Sequence, residues 1–356
     1  MLKTIKNVKI SAVATCVPKL QVDVHDNKLV YGGNVKKLNK VVKSTGFHKR
    51  HILEENSPVT AGDLCKRAAE RLFESGIEKE DIKAVIVVTQ FPDYFGPATA
   101  CVVHGHLGLS EDCLTFDINQ GCTGYIYGLL IASSLINIDC KKVLLLVGDT
   151  PTKSNGTGLD MTDDIPIFGD GGSATILEYD ENANDIVFEI GSKGLDYDVI
   201  IGKNGAYRNP PRPDMFDKNG KFDYGQKMDG LKVFDFTMNI VPPSINKVME
   251  AIKIKEEDVD YYVFHQANRM ILENIATSAS IDVNKVLRET LSKLGNLSCA
   301  SIPSVICDEY EKFNQKEVNI VLSGFGIGLS WGSVALTLNK PKVLPIIYYN
   351  GEENEK

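Results

Sequence analysis

Three short segments hold residue types able to do covalent chemistry on a carbonyl carbon. In DINQGCTGYIYGLLIASSL, residues 117–135, Cys122 stands where an apolar strand pattern gives way to an apolar helical run, bracketed by Gly121 and Gly124. A thiol at a helix start meets unpaired first-turn N–H groups and the positive end of the peptide dipole. That setting favours the thiolate and predicts a pKa below the ~8.5 of free cysteine. The glycines let a substrate carbonyl approach the backbone closely. In YYVFHQANRMI, His265 follows a strand and precedes a helix, where ligands of α/β sheets collect; in KLGNLSCASIP, Asn296 sits in a turn. Each has an ordinary structural reading by itself: a small packing residue, a strand-end residue, a helix cap or turn residue.

Taken together the three are more specific. A thiolate can attack a thioester carbonyl and hold the acyl group covalently. N–H donors from an imidazole and a carboxamide can then steady an enolate oxygen. The backbone N–H of Cys122 and one from the glycine-rich turn 324–328 can serve as an oxyanion hole. A cysteine hydrolase uses the same residue types, with the histidine as base for the thiol. Here the cysteine lies far from the N-terminus and lacks the C-G-[SA]-C-[WY] surround, so that reading fails.

The elements that must position these groups follow from the rest of the chain. Its 356 residues exceed the usual single-core limit, so two domains or two halves are expected. A formal net charge of -8 argues against nucleic acid or an anionic membrane surface as partner. No stretch approaches ~18 consecutive apolar residues, and the first residues read as a strand, not as a signal peptide. The eight cysteines are scattered without a CxxC, which indicates neither disulfides nor a metal site and predicts a reducing cytoplasm. Apolar runs at 7–13, 84–90, 114–118, 143–148, 173–178, 260–264, 318–323 and 333–338 read as strands. Helical patterns fall at 60–76, 98–108, 123–137, 239–253, 268–279 and 301–313, giving an α/β chain whose strands are covered on both faces.

A weak internal repeat supports two halves. VLLLVG precedes FGDGGSATIL at 168–177, and NIVLSG precedes FGIGLSWGSVAL at 325–336, each a strand, a Phe-Gly-x-Gly turn and a strand. The expected division is 1–180 carrying the cysteine, 181–340 carrying histidine and asparagine, and a C-terminal tail over 341–356, whose polar end YYNGEENEK reads as frayed. Segments 17–50 and 191–230 read as insertions, the second as loop.

GCTGY, FGDGGSATILEY, FHQANRMI, GNLSCASIP, GFGIGLSWGSVAL and TGFHKRHI at 45–52 together resemble β-ketoacyl-acyl-carrier-protein synthase III of the thiolase superfamily. The resemblance runs in order from about residue 5 to 339. It implies a duplicated, five-layered αβαβα fold, a homodimer, and thioester substrates on CoA or acyl-carrier protein without a further cofactor. It implies that Cys122 takes the acyl primer, while His265 and Asn296 hold the malonyl thioester during decarboxylation. Gly326 and Ile327 would supply a backbone donor, with Phe325 over the nucleophile.

Departures from the pattern point to a specialised pathway. The tryptophan–arginine pair that grips the CoA adenine in many members reads Lys40 and Thr162 here, and a further arginine reads Ser44. Basic carrier-docking positions read Asp235 and Thr277-Ser278, leaving Arg269, one residue early, as the docking candidate. The phenylalanine by which the dimer mate closes the acyl pocket in acetyl-selective members aligns with Gly96 in DYFGPAT, which predicts room for a longer or branched primer unless Phe95 next door swings in. Two other functions stay in view: an acyltransferase delivering to an oxygen or nitrogen nucleophile, and a non-catalytic partner subunit. The remaining features have structural readings: His104 and His106 on a helix, Asp170 in a sheet turn, Asp163-Asp164 in a loop, Trp331 packed near the site, and 228–236 at a helix start.

Overall fold

Long apolar strands buried on both faces need helices above and below them, and this chain supplies three helical layers around two sheets. The structure, a computed structural model, describes residues 1–155, 166–218, 220–314 and 316–350. The seven-stranded sheet runs Lys342–Val343, Val8–Pro18, Gly171–Tyr179, Lys142–Asp149, Ile82–Val88, Leu114–Ile118, with Ile347–Tyr349 also on Val8–Pro18. The five-stranded sheet runs Leu2–Ile5, Ile186–Ser192, Ser330–Asn339, Glu317–Gly326, Tyr261–Phe264.

The two sheets repeat one plan. Lys142–Asp149 lies antiparallel to Gly171–Tyr179 and parallel to Ile82–Val88. Glu317–Gly326 likewise lies antiparallel to Ser330–Asn339 and parallel to Tyr261–Phe264. Helices Gly124–Leu135 and Ser301–Asp308 fill the space between the sheets. Ala61–Glu74 and Thr99–His106 cover the outer face of the first sheet, and Gly230–Ile252 with Arg269–Ser278 that of the second. This is the expected five-layered αβαβα fold. The central helix GYIYGLLIASSL has no polar face because it meets a sheet on either side.

The ends of the chain cross over. Leu2–Ile5 joins the sheet of the second half, while Lys342–Val343 and Ile347–Tyr349 pair with Val8–Pro18 in the first. The end expected to fray therefore begins in strand, at Tyr348 and Tyr349 of Ile347–Tyr349, because this segment pairs with the backbone of an otherwise open edge; residues 351–356 lie outside the described residues. Segment 17–50 is not a plain insertion: it holds helix Val35–Thr45, capped by Asn34 and closed at Gly46 with φ 82°. Strand Ile186–Ser192 falls between the elements expected from sequence, and helix Gly230–Ile252 starts earlier than expected, capped by Asp229. The expected helix over 301–313 breaks into Ser301–Asp308 and Glu311–Asn314.

Candidate active site

Strand Leu114–Ile118 leads into a tight turn closed by Gly124 N–H donating to Gly121 O at 2.7 Å, and the helix begins at Gly124. Cys122 thus stands just ahead of the helix, half-buried as a residue. Next to it, the Thr123 hydroxyl meets Ser330 Oγ at 2.8 Å, tying this turn to the other half of the molecule. The turn 325–328 lies on the thiol. A Cβ built on Gly326, whose φ is 150°, would stand 2.8 Å from Cys122 Cβ and 3.0 Å from Sγ. Only glycine fits there. A Cβ on Gly121 would meet Gln90 Oε1 at 2.4 Å and Ile327 Cγ2 at 2.7 Å.

The thiol itself is not poised as a resting thiolate, which corrects the expectation from sequence. Burial pushes its pKa up to about 11, with the Asp149 carboxylate adding to the rise. The N–H groups of Ile327 and of Cys122 itself, and the Ser298 hydroxyl, pull it down by less. Loss of water around a sulfur anion outweighs a few oriented dipoles. Those two N–H groups lie near the sulfur, and a carbonyl bonded to that sulfur would bring its oxygen toward them.

His265 follows strand Tyr261–Phe264 and is fixed by its N–H donating to Ser323 O at 2.8 Å. Its side chain is buried, and burial drives its pKa down to about 4, so the imidazole is neutral at physiological pH. The Phe325 ring stands edge-on to it at 5.7 Å. Phe325 is itself buried in the core of the second half and packs on the imidazole. The polar neighbours of His265 have structural work: Gln266 donates to Phe264 O at 2.8 Å, and Asn268 caps the following helix.

Asn296 follows Gly295, which has φ 78°, and is clamped by the first Phe-Gly-x-Gly turn. Its N–H donates to Ile167 O at 2.9 Å, and its carbonyl accepts from Gly169 N–H at 3.1 Å. Its Oδ1 accepts from Ser298 N–H at 2.9 Å, which orients the amide and leaves the NH2 as the free donor. Ser298, held at φ 50°, joins the set: its carbonyl faces the His265 imidazole, and its hydroxyl lies near Cys122. Cys122, His265, Asn296, Phe325, Gly326 and Ile327 therefore share one site.

Gly96 and Arg269 make their contacts elsewhere. A Cβ on Gly96 would meet nothing within 4 Å, and Phe95 is 89% exposed beside Tyr207, ring centroids 6.2 Å apart. Arg269 lies against Gly46 and pairs with Glu289 at 3.6 Å, which engages its charge within the chain. Lys40 and Ser44 are exposed on helix Val35–Thr45, while Thr162 and Asp163-Asp164 lie outside the described residues. Asp170 does sheet-turn work, accepting from Leu53 N–H at 2.7 Å and Thr152 N–H at 3.1 Å. Trp331 donates to Glu189 at 2.8 Å. Among the described residues no cluster of metal-ligating side chains occurs, and no helix is long and apolar enough to cross a membrane. Sequence reasoning passed over Ser298 and Asp149; an acidic residue closing the apolar run VLLLVGD was the available signal.

Known proteins resemble this chain over most of its length. The family model described as 3-oxoacyl-[acyl-carrier-protein] synthase III matches residues 116–194, and the model of its C-terminal part matches 249–338. A putative 3-oxoacyl-[acyl-carrier-protein] synthase 3 of Campylobacter jejuni is 36% identical over 97% of this chain and 98% of its own. A β-ketoacyl-[acyl-carrier-protein] synthase III of Natranaerobius thermophilus is 34% identical over 82% of this chain and 88% of its own. The solved structure of a 3-oxoacyl-(acyl-carrier protein) synthase from Burkholderia xenovorans superposes with TM-score 0.87 at 32% identity, covering 98% of this chain and 99% of that one. With likeness of this extent spanning both halves, the chain belongs to the 3-oxoacyl-[acyl-carrier-protein] synthase III family of condensing enzymes.

Proposed function

We propose that this protein joins an acyl primer, held as a thioester on Cys122, to malonyl-acyl-carrier-protein, releasing carbon dioxide and a 3-oxoacyl product. The observation that carries this reading is the neutral, buried imidazole of His265 beside the oriented amide of Asn296, both linked to the thiol through Ser298. In the first half-reaction the sulfur attacks the primer carbonyl, and the oxygen that becomes anionic is met by the N–H groups of Cys122 and Ile327. The carrier thiol then leaves. In the second, the malonyl thioester oxygen accepts hydrogen bonds from His265 and Asn296. The carboxylate departs as carbon dioxide, its bonding electrons form the enolate, and that carbon attacks the acyl group on Cys122, breaking its C–S bond and returning the sulfur as a thiolate that takes up a proton. Neutral donors suit this task, because a protonated imidazole would bind the malonyl carboxylate as strongly as the enolate.

The partners follow from the same reading: acyl-carrier protein, an acyl thioester primer, and a second copy of this chain, with no further cofactor, in the cytoplasm. A homodimer is supported by strand Leu114–Ile118, an open sheet edge with Leu114 exposed, and by the exposed aromatic side chains of Tyr94 and Phe95. A carrier-borne primer is supported by Lys40 and Ser44, which offer no aromatic–guanidinium clamp for an adenine. Arg269 is engaged by Glu289 within the chain, which leaves carrier docking to other positive charges.

The test is mass spectrometry of the purified protein with a panel of acyl thioesters on CoA and on carrier protein, followed by carbon dioxide release from malonyl-carrier protein. Wild type gains an acyl adduct on Cys122 and Cys122→Ser does not. Adducts without carbon dioxide release would favour acyl transfer to an oxygen or nitrogen nucleophile. No adduct from any thioester would favour a non-catalytic subunit.

A further inference from the structure

Residues 27–53 hold six lysines, Arg50 and no aspartate or glutamate, in a chain whose formal net charge is -8. Four of those lysines, Lys36, Lys37, Lys40 and Lys43, are exposed on helix Val35–Thr45. With ~3.6 residues per turn, Lys36, Lys40 and Lys43 line one face, opposite the buried Leu38 and Val42. None of the four makes an ion pair among the described residues, and Lys37 lies over the Tyr31 ring, 4.1 Å from its centroid. The flanking turn Val24–Asp26 reaches the helix through His25, which meets Asn39 at 3.0 Å, and its carboxylates are used locally. Asp23 accepts from His25 N–H at 2.9 Å and Asp26 from Asp23 N–H at 3.1 Å.

This placement works against the helix. Lys36 and Lys37 stand in its first turn, at the positive end of the peptide dipole, where a carboxylate would be favourable. Lys36 with Lys40, and Lys40 with Lys43, are like charges four and three residues apart, which repel. Charge kept against local preference marks a surface used by something outside the chain.

The helix is also keyed to the segments that carry His265 and Asn296. Leu38 and Val42 pack in one cluster with Phe47 and Leu291, which Ile167 adjoins. Leu291 lies five residues before Asn296, and Ile167 O accepts the Asn296 N–H at 2.9 Å. At the end of the helix, a Cβ on Gly46 would stand 3.1 Å from Arg269 Cβ, four residues beyond His265.

We propose that this lysine face is the surface on which acyl-carrier protein, an acidic partner, docks to present the malonyl group to His265 and Asn296. The inference rests on the condensation proposed above. With Arg269 engaged by Glu289 at 3.6 Å, helix Val35–Thr45 supplies unpaired positive charge on this side of the site. Leu29 and Val35, exposed at its start, add apolar contact area. Exposed lysines suit a partner that must leave after each turnover, because each pair is weak and screened by salt. Together they steer an acidic protein and fix its orientation without touching the reacting atoms.

The test is the steady-state rate of carbon dioxide release from malonyl-acyl-carrier protein, malonyl-CoA and the malonyl thioester of N-acetylcysteamine, at low and physiological salt. Wild type is compared with the triple variants K36E/K40E/K43E and K36Q/K40Q/K43Q. In the glutamate variant the KM for malonyl-carrier is expected to rise about tenfold, the scale of a few exposed ion pairs replaced by repulsion. Its kcat, and its rates with both small thioesters, stay within about twofold of wild type, because these charges lie outside the reacting site. The glutamine variant should show a rise of about threefold and lose most of the salt dependence of wild type. It carries the test alone should the glutamate variant not fold. An unchanged KM for malonyl-carrier overturns the proposal. So does an equal rise for malonyl-CoA, which would make the helix a reader of the CoA phosphates. An equal loss with the N-acetylcysteamine thioester overturns it as well, by making the helix a structural part of the site. Failure of wild type to release carbon dioxide from any malonyl thioester would instead count against the proposed function. Calorimetric titration with carrier protein would still decide the surface: about tenfold weaker binding by the glutamate variant supports it, and equal affinities overturn it.

Discussion

The two Phe-Gly-x-Gly turns have the same sequence pattern and opposite duties. The turn at 168–171 belongs to the first half, yet it clamps Asn296 of the second, through Ile167 O and Gly169 N–H. The turn at 325–328 belongs to the second half, yet it lies on Cys122 of the first. Each half therefore builds the backbone frame for the other's reactive side chain. They differ in how they are tied down. The 325–328 turn closes a direct hairpin between Glu317–Gly326 and Ser330–Asn339. The 168–171 turn returns from an excursion after Asp149 and is pinned by side chains: Arg50 donates to Phe168 O at 2.8 Å, and Asp170 takes N–H groups from Leu53 and Thr152. The hairpin is held by its own ladder with a side-chain tie from Ser330 Oγ to Ile327 O at 2.8 Å, whereas the long return takes several buried polar anchors to hold its register.

Breaking each turn should expose that division, most severely at the thiol. Gly326→Ala would drive a methyl into Cys122 and displace the Ile327 N–H. Acyl loading is expected to fall about 10²-fold or more, as for a lost oxyanion donor, read by adduct mass spectrometry. His265→Ala and Asn296→Ala come next: loading persists while carbon dioxide release from malonyl-carrier protein drops about 10²-fold. Equal loss of both half-reactions in these variants would erase the contrast between the turns. Gly169→Ala, whose Cβ would stand 2.4 Å from Leu294 O, should act on stability and on the second half-reaction more than on loading. A destabilisation of about 2–4 kcal/mol by denaturant titration is expected.

Smaller effects sharpen the picture further. Gly96→Phe fills open space beside Phe95 and should shift loading toward acetyl by about tenfold, the scale of a few methylene-sized contacts in an apolar pocket. An unchanged chain-length profile would remove Gly96 from the primer pocket. The mildest signature is in the pH dependence of folding. His265, lowered from 6.5 to about 4, makes stability rise with pH across that window, because the unfolded chain binds the proton more readily. Asp149, raised from 3.8 to about 6, makes stability fall with pH across its own window, because there the folded state binds the proton more readily. The two oppose each other between about pH 4 and 6. Asp149→Asn should unmask the His265 slope, so its stability relative to wild type is expected to rise with pH over that range in thermal or denaturant unfolding.

Much of this was legible in the chain. Apolar strands without alternation called for helices on both faces, the repeated turn called for duplication, and Cys122, His265 and Asn296 announced themselves by their surroundings. Local patterns carry that information because periodicity and turn chemistry act over a few residues. Other features had no local trace. Strand Ile186–Ser192 and the ordered strand at Ile347–Tyr349 exist because a neighbouring backbone was there to pair with. The state of the thiol was also decided in three dimensions: a helix start predicts an easy thiolate, but enclosure by Gly326, Ile327, Ser298 and the Asp149 carboxylate holds the proton on sulfur. Sequence determined which groups would meet. Only the tertiary structure decided how dry their meeting place is, because desolvation depends on every atom that crowds around a charge.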